Sequence, residues 1–339
     1  MNRRSFLTSL AAGSTVAAFG GCAQQNSNKS SSDSLGPTLP TRRLGRTGEQ
    51  VSMLGVGGYH IGWTTEKDAQ ETIESAIEGG IRFFDTAEGY GKGESEIRYG
   101  KYLTPKFRDN VFLMTKTNSK DAETARQHLE ASLSRMKTDY LDLWQIHSLE
   151  SPENVDQRVE AGLLEVLLKA KEEGKVRYLG FTGHRNPEAH LRMLEKSEAL
   201  DLFDTCQMPV NVMDPNYHSF VEQVTPVLQR RDIALLAMKT LADGRFFGMK
   251  AMPKRGAIWQ TENPAIPARI SIMDALHFAW ALPTSTLITG AENASLIREK
   301  IEMAKAFTAM SPEKRLDLVG RVADISDGKA EYYKRPVVS

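Results

Sequence analysis

Four side chains that can hold or move a proton stand at the ends of predicted strands. Asp85 comes directly after two aromatic residues, and Tyr90 follows it in a glycine-flanked turn. Lys116 and His147 each end a later apolar run. In a barrel of parallel strands, residues at the carboxyl-terminal strand ends surround the site of chemistry. A capping Asp or a solvated Lys would be ordinary alone, but four such residues at consecutive strand ends indicate one shared site.

The segments that would position these side chains alternate between strand and helix. The first barrel strand is predicted at Leu54–Gly57, and later strands end near Asp85, Lys116, His147, Thr182, Met208, Lys239 and Thr289. Helix-like segments cover residues 66–78, 94–102, 122–136, 161–173, 187–199, 220–230, 272–281 and 294–307. This alternation is typical of βα units, and eight of each indicate an α/β chain folded as a closed (β/α)8 barrel. We also predict a hairpin over 42–53 and an extra C-terminal helix over 312–325.

Composition excludes several classes of protein. The 339 residues include 43 basic and 43 acidic side chains, so the net charge gives no sign of a nucleic-acid partner. The two cysteines, Cys22 and Cys206, are too few for a disulfide scaffold or a protein-held four-cysteine iron–sulfur cluster. We predict no metal site.

The first 22 residues indicate an export signal rather than a part of the fold. Arg3 and Arg4 precede an apolar, alanine-rich segment, and the Arg-Arg-x-Phe-Leu core resembles a twin-arginine signal. The apolar segment is too short to remain as a spanning helix. A disordered tail with a chance arginine pair is the alternative. We therefore predict recognition by the twin-arginine export machinery and a periplasmic location.

A possible lipid anchor follows the signal. The residues before Cys22 resemble a lipoprotein cleavage box, which would make Cys22 the lipidated residue, although cleavage without lipidation stays open. Residues 23–40 are rich in Ser, Asn and Pro and are predicted to be a flexible linker. The barrel domain is then predicted over residues 41–339.

Taken in order, Asp85, Tyr90, Lys116 and His147 resemble the catalytic set of the aldo-keto reductase family. The likeness extends over residues 41–310 and includes three further motifs: Leu54-Gly55-Val56-Gly57-Gly58, Gln207-Met208-Pro209-Val210-Asn211, and Ile288-Thr289-Gly290 with Glu299. The resemblance implies a TIM barrel and an oxidoreductase that moves a hydride between a nicotinamide cofactor and an aldehyde, ketone or sugar carbonyl.

The resemblance also implies a role for each of the four residues. Tyr90 would be the general acid, and Lys116 would lower the pKa of its phenol. Asp85 would keep Lys116 charged, and His147 would donate to the carbonyl oxygen.

Cofactor contacts carry over less completely. Gln207 matches the residue that binds the nicotinamide carboxamide, whereas Thr182 and Gly183 replace a usual Ser-Asn pair. Glu292 would repel the 2′-phosphate of NADP, and a carboxylate can instead accept from the 2′-hydroxyl of NAD. NADP is favoured only by family habit, so the choice between NADP and NAD stays open. The remaining predicted cofactor residues are Gly57, Lys239, Gly290, Arg298 and Glu299.

The substrate is barely defined by the sequence. Five residues are predicted to line an aromatic, largely apolar pocket, namely Tyr59, His60, Trp63, Trp144 and Phe247, with barrel core as the alternative for Trp144. Export makes the supply of free nicotinamide uncertain, so an exported cofactor-bound sensing or binding barrel with little or no turnover is the alternative function. A sugar-binding barrel without cofactor is a weaker one. The oligomeric state is not predicted.

Overall fold

The predicted barrel is present in the computed structural model, which describes residues 31–247, 266, 269–326, 328 and 330–334. Within these residues the strands are β1 (Ser32–Asp33), β2 (Gly36–Pro37), β3 (Thr41–Arg43), β4 (Gln50–Ser52), β5 (Leu54–Gly57), β6 (Phe83–Asp85), β7 (Phe112–Thr117), β8 (Leu141–Leu149), β9 (Val176–Gly183), β10 (Thr205–Pro209), β11 (Ala234–Met238) and β12 (Thr284–Thr289). Strands β5 to β12 are parallel neighbours in chain order, and β12 pairs with β5 to close the barrel.

Helices surround the barrel. They are α1 (Gly58–Trp63), α2 (Glu66–Glu78), α3 (Glu94–Tyr102), α4 (Thr104–Phe107), α5 (Ala122–Met136), α6 (Pro152–Glu160), α7 (Leu163–Glu172), α8 (Pro187–Lys196), α9 (Phe220–Arg230), α10 (Ile272–Trp280), α11 (Ala294–Lys305) and α12 (Pro312–Gly320). Most predicted helices coincide with these bounds or end a few residues earlier. The main apolar core lies between the strands and this helical layer.

Three helices were not predicted, namely α1, α4 and α6. The start of α6 shows why. Ser151 accepts from the Asn154 amide as the N-cap, and Pro152 takes the first helical position. Ser and Pro are also common in turns, so this pair does not distinguish a helix start from a loop.

The predicted hairpin closes the amino-terminal end of the barrel. It consists of β3 and β4. Leu44 and Val51 pack with residues inside the barrel, including Phe83 and Leu143. The Arg42 guanidinium donates to the Thr284 carbonyl oxygen at 2.8 Å. The other end of the barrel, where the strands finish, is therefore the end that can receive a ligand.

The predicted flexible linker, residues 23–40, includes residues that are folded. Residues 31–40 are folded onto the closed end of the barrel, where β1 and β2 form a short hairpin. Leu39 is 1 % exposed, and the Asp33 carboxylate lies 2.6 Å from the Arg82 guanidinium. These contacts are made with residues distant in sequence, so the local composition of this segment gave no sign of them.

The C-terminal segment returns to the mouth of the barrel. The predicted helix over 312–325 ends at Gly320, and a short 3-10 turn follows it. Further on, the Lys334 ammonium lies 2.7 Å from the Asp214 carboxylate and 2.9 Å from that of Glu331. All three side chains are almost fully buried. This buried ion-pair cluster fixes the tail against the segment after β10.

The predicted export signal, its Arg3 and Arg4, and the lipidation site Cys22 lie outside the described residues. Among the helices described above, none is both long and apolar enough to cross a membrane.

Candidate active site

The open end of the barrel brings the four predicted residues together. Asp85 ends β6, whereas Lys116 and His147 lie near the ends of β7 and β8. Tyr90 lies in the turn after β6, where its amide donates to the Ala87 carbonyl oxygen at 3.0 Å. The four side chains therefore come from three adjacent strands and one turn.

The Lys116 ammonium is the centre of this arrangement. Nζ contacts the Asp85 carboxylate, donates to the Thr86 carbonyl oxygen at 2.7 Å and lies 3.4 Å from the Tyr90 hydroxyl oxygen. The side chains of Lys116 and Asp85 are 1 % and 3 % exposed. A buried ammonium is tolerated only with a partner charge and further acceptors. The Tyr90 hydroxyl is thus held against a buried ion pair.

The pKa of the Tyr90 phenol is shifted in the direction opposite to the one expected from the sequence. Burial, followed by the charge of Asp85, raises the pKa of the Tyr90 phenol well above its usual value. Burial also raises the pKa of Asp85 and lowers that of Lys116, while each partner opposes the shift in the other. The net pKa of Tyr90 is therefore high, because the lowering expected from the Lys116 ammonium is smaller than the rise caused by burial and by the Asp85 charge. The Asp85 carboxylate offsets the ammonium charge, so burial dominates.

His147 faces the same phenol. The rings of Tyr90 and His147 lie 5.7 Å apart between centroids and nearly perpendicular. Burial lowers the pKa of His147 well below its usual value, and the charge of Lys116 lowers it further. The imidazole is therefore neutral at neutral pH, with one ring nitrogen as donor and the other as acceptor.

A cavity of about 870 Å³ lies above the four side chains. This size is within the range of pockets that hold drug-sized ligands and cofactors. Its wall reaches from the strand ends to the first turns of α11, where Ser295, Glu299 and Lys300 contribute to it. The lining includes six of the predicted cofactor residues besides Glu299: Gly57, Thr182, Gln207, Lys239, Gly290 and Glu292.

Gln207 has the features that a carboxamide site requires. Its side chain is 2 % exposed and hydrogen-bonds to Asp85. The Oε1 atom has no hydrogen-bond partner within the described part of the chain. A buried, unpaired acceptor is costly unless a ligand completes it. The amide of a nicotinamide carboxamide supplies a matching donor, so the wall at Gln207 fits that cofactor.

The far end of the cavity is built around Gly290. A Cβ at this position would lie 1.9 Å from His60 Nδ1, so only glycine allows the imidazole to pack here. Lys300 donates to the Gly290 carbonyl oxygen, and burial lowers its pKa to about 8. His60 Nε2 lies 3.5 Å from the Glu292 carboxylate. The start of α11, with Asn293 as its N-cap, offers free backbone N–H groups for phosphate.

One predicted cofactor residue lines the cavity but is already paired, and another lies outside the cavity. Lys239 lines the cavity, but its ammonium lies 2.8 Å from the Asp243 carboxylate and 3.3 Å from the Tyr332 hydroxyl. Arg298 is exposed on α11 and does not line the cavity. Helical geometry accounts for this, because residue 298 points away from the face that carries Leu296, Glu299 and Met303, which line the cavity.

The predicted aromatic pocket is smaller than expected. The cavity is lined by Tyr59, His60 and Phe247, but not by Trp63 or Trp144. Trp144 is 1 % exposed and belongs to the core between strands and helices, because side chains alternate along β8 and its neighbours Leu143 and Gln145 point the other way. Trp63 lies behind Tyr59, with ring centroids 6.2 Å apart.

The cavity residues that the sequence analysis missed include Ser148, His184, Asp243 and Tyr332. Ser148 and His184 directly follow predicted strand ends and could have been found by extending the strand-end argument by one or two residues. Asp243 lies in a loop, and Tyr332 arrives from the C-terminal tail. Neither carries a local signal for a place in the site.

The link between Lys116 and His147 can be tested by titration. We expect Lys116→Met to raise the pKa of His147 toward its usual value, because the positive charge that disfavours the imidazolium is removed. NMR titration of ¹³C-labelled histidine, with His147 assigned through His147→Gln, would measure the shift.

Lys300→Met is the matched control, since Lys300 is not among the main causes of the pKa shift of His147. Asp85→Asn/Lys116→Met removes both charges of the pair and serves if the single variant does not fold; a smaller rise is expected from it, because losing the carboxylate opposes losing the ammonium. An unchanged or lower pKa of His147 in both variants would contradict the arrangement.

Known proteins are similar to this chain in sequence and in fold. The model of the Aldo/keto reductase family matches residues 53–306. L-galactose dehydrogenase from Arabidopsis thaliana is 36% identical over 159 residues, which cover 43% of this chain and 49% of that protein. NADH-specific methylglyoxal reductase from Escherichia coli is 25% identical over 308 residues, covering 76% of this chain and 91% of that protein.

The fold matches the holo form of aldo-keto reductase AKR11C1 from Bacillus halodurans with a TM-score of 0.69 and 22% identity. The match covers 84% of this chain and 96% of that one. Because the family match includes every barrel strand and all four clustered residues, the chain belongs to the aldo/keto reductase family of oxidoreductases.

Proposed function

We propose that the protein reduces the carbonyl group of a small aldehyde, ketone or sugar with NAD(P)H, using Tyr90 as the general acid. The observation that carries this proposal is the position of the Lys116 ammonium. It contacts the Asp85 carboxylate and lies 3.4 Å from the Tyr90 hydroxyl, at the floor of a cavity of about 870 Å³.

The reaction requires two transfers to one carbonyl group. When bound, the reduced nicotinamide supplies a hydride to the carbonyl carbon. Tyr90 gives its hydroxyl proton to the carbonyl oxygen, so the substrate becomes an alcohol and Tyr90 becomes a phenolate. The adjacent Lys116 ammonium stabilises that phenolate until a proton from water restores the phenol.

The raised pKa of Tyr90 is compatible with this role. A general acid must be protonated before the reaction, and a buried phenol with a high pKa is protonated throughout the neutral range. The oxygen that receives the proton gains alkoxide character as hydride arrives, and an alkoxide is a far stronger base than a phenolate. Proton transfer is therefore favourable even from a weakly acidic phenol.

His147 is assigned to orienting the carbonyl. Its lowered pKa keeps the imidazole neutral, so it donates one N–H to the carbonyl oxygen without competing as an acid. For the cofactor, Gln207 and Thr182 would hold the nicotinamide, and the backbone from Gly290 to the start of α11 would hold the phosphates.

The alternative function, a cofactor-bound sensing barrel with little turnover, is less well supported. Burying the Lys116–Asp85 pair has a desolvation cost, and apolar residues of similar volume would stabilise a scaffold at least as well. The pair is useful where charge must be stabilised during a reaction. The fold itself does not distinguish the two functions.

Removing the Tyr90 hydroxyl tests the acid assignment. We expect Tyr90→Phe to lower kcat for carbonyl reduction by about 10²–10⁴-fold, the usual contribution of a positioned acid, while cofactor affinity stays close to wild type. Steady-state kinetics and fluorescence titration with NADPH and NADH would measure both. Tyr102→Phe, which removes an exposed hydroxyl bonded to Glu66, is the control. Wild-type turnover in Tyr90→Phe would refute the assignment.

Glu292 is proposed to set the preference between NAD(H) and NADP(H). It lines the cavity beside the first turn of α11, and Lys300 next to it donates to the Gly290 carbonyl oxygen. A carboxylate there disfavours a 2′-phosphate and suits a 2′-hydroxyl. This favours NAD(H), against the family habit of NADP(H).

Charge reversal at Glu292 should therefore change cofactor choice. Glu292→Arg is expected to raise the ratio of kcat/KM for NADPH over NADH by about tenfold or more, since Arg pairs well with phosphate. Glu302→Arg, on the exposed side of the same helix, should leave the ratio unchanged. An unaltered ratio in Glu292→Arg would mean that the 2′ position is recognised elsewhere.

We further propose that the protein is exported folded, with its cofactor bound. The support is the order of the N-terminal residues: paired arginines, an apolar segment and a cysteine after two glycines. A cofactor acquired in the cytoplasm would explain how a nicotinamide site functions in the periplasm.

The export proposal predicts that Arg3→Lys/Arg4→Lys leaves the precursor in the cytoplasm. Cell fractionation would locate the protein, and intact mass spectrometry would show its N-terminus, any lipid on Cys22 and the bound nucleotide. Arg126→Lys, an exposed change on α5, should export like wild type. Full export of the double variant would reject the twin-arginine signal.

A further inference from the structure

The end of β8 departs from regular strand geometry immediately after His147. The pairing of β8 with β9 shifts register between Ile146 and Leu149. Ser148 has a φ of 58°, in the left-handed region that is costly for a residue other than glycine. Irregular pairing of this kind redirects side chains and is common beside active sites.

The Arg158 side chain supports the irregular strand end through hydrogen bonds to its backbone. Its Nη1 atom donates to the His147 carbonyl oxygen at 2.7 Å, and Nη2 donates to the Ser148 carbonyl oxygen at 3.5 Å. Arg158 is 2 % exposed. The unusual backbone at Ser148 is thus supported by a buried side chain, and it is not a loose loop.

The neighbouring strand end approaches it closely. A Cβ at Gly183 would lie 2.5 Å from the Leu149 carbonyl oxygen, so the approach of β9 to β8 requires glycine. As a result, His184 and Arg185 stand opposite Ser148 and Glu150.

These two strand ends enclose a second, smaller cavity of about 50 Å³, which we call the annex. It is lined by Ser148, Leu149, Glu150, His184 and Arg185. Ser148 and His184 also line the main cavity, so the annex adjoins the space beside His147. Because one water needs about 10–15 Å³ by this kind of measure, the annex has room for a few groups of that size.

The annex walls offer neutral donors and acceptors. Burial lowers the pKa of His184 to about 3, so its imidazole is uncharged at neutral pH and carries one donor and one acceptor nitrogen. The Ser148 hydroxyl can also both donate and accept. Glu150 and Arg185 are paired at 3.0 Å, so their charges offset each other.

Such walls match hydroxyl groups better than other ligand chemistry. A hydroxyl donates and accepts at once, as Ser148 and His184 do. A charged substituent of either sign would meet a like charge in the Glu150–Arg185 pair. An alkyl or aromatic substituent would leave these polar groups without partners, which is costly where they lose water.

We propose that the annex binds hydroxyl groups on the carbon chain next to the reacting carbonyl, so that the substrate is a polyhydroxylated aldehyde or ketone. The inference rests on the proposed carbonyl reduction and narrows its substrate class. A hydroxylated substrate also agrees with the finding that Trp63 and Trp144 do not line the cavity, which makes the cavity less aromatic than expected. The similarity to L-galactose dehydrogenase, whose name states a sugar substrate, points the same way.

The first test compares substrates of equal length. Glyceraldehyde and propanal differ by two hydroxyls, and we expect kcat/KM, corrected for hydrate, to favour glyceraldehyde by about tenfold or more. Ser148→Ala should lower this ratio by about threefold to tenfold, as should Ser148→Gly, which removes the hydroxyl without left-handed strain. Ser134→Ala on the exposed face of α5 should retain the wild-type ratio. A wild-type ratio near one, or an unchanged ratio in both Ser148 variants, would overturn the proposal.

The second test does not need turnover. Ligand-observed NMR titration of the full chain with glucitol and with 1-hexanol compares six-carbon alcohols with and without a hydroxylated chain. Glucitol is expected to bind about tenfold tighter than 1-hexanol, and Ser148→Ala should remove most of this difference. Equal binding of the two alcohols would overturn the annex assignment. If neither aldehyde is reduced with NADPH or NADH while Ser148-dependent glucitol binding persists, the proposed function fails and the hydroxyl site stands.

Discussion

The contact between the Lys116 ammonium and the Asp85 carboxylate is the interaction on which the site depends. Neither charge would be stable alone at this depth, since burial favours the neutral form of each. Together they form a buried pair whose net charge is close to zero, beside a phenol that remains protonated. This explains why Tyr90 keeps a high pKa. In the proposed reaction, the Lys116 ammonium would stabilise the phenolate that forms when Tyr90 gives up its proton.

The barrel supplies the geometry that this pair needs. Adjacent parallel strands place Asp85, Lys116 and His147 side by side, and the turn after β6 returns Tyr90 over them. The closed end is filled by the hairpin of β3 and β4 and by apolar side chains inside the barrel, so the strands are fixed where they begin. Parts without barrel regularity surround the open end: the loop at Asp243, the tail at Tyr332 and the irregular end of β8. Rigid strands therefore carry the proposed chemistry, and irregular segments shape the space around it.

The two ends of the site show different chemical character. Toward α11, the wall combines helix N–H groups with the acidic Glu292 and the basic Lys300. Beside His147, the annex offers neutral donors and acceptors together with a paired carboxylate and guanidinium. Between them lies Gln207, whose unpaired buried oxygen fits a carboxamide. An elongated cofactor and a short hydroxylated substrate would thus meet above Tyr90, and each would be recognised by a separate set of strand-end residues.

The sequence by itself determined the barrel, most helix bounds and the four clustered residues, because strand and helix periodicity are local and a polar residue at a strand end has a fixed place in a parallel barrel. It did not determine how charges combine. The pKa of Tyr90 depends on how Asp85 offsets Lys116, which only their contact reveals. Trp144 also needed the structure, since a one-residue alternation decides between cavity and core. Tyr332, Asp243, the folded residues 31–40 and the annex were likewise decided by tertiary contacts between segments far apart in the chain, for which no local pattern exists.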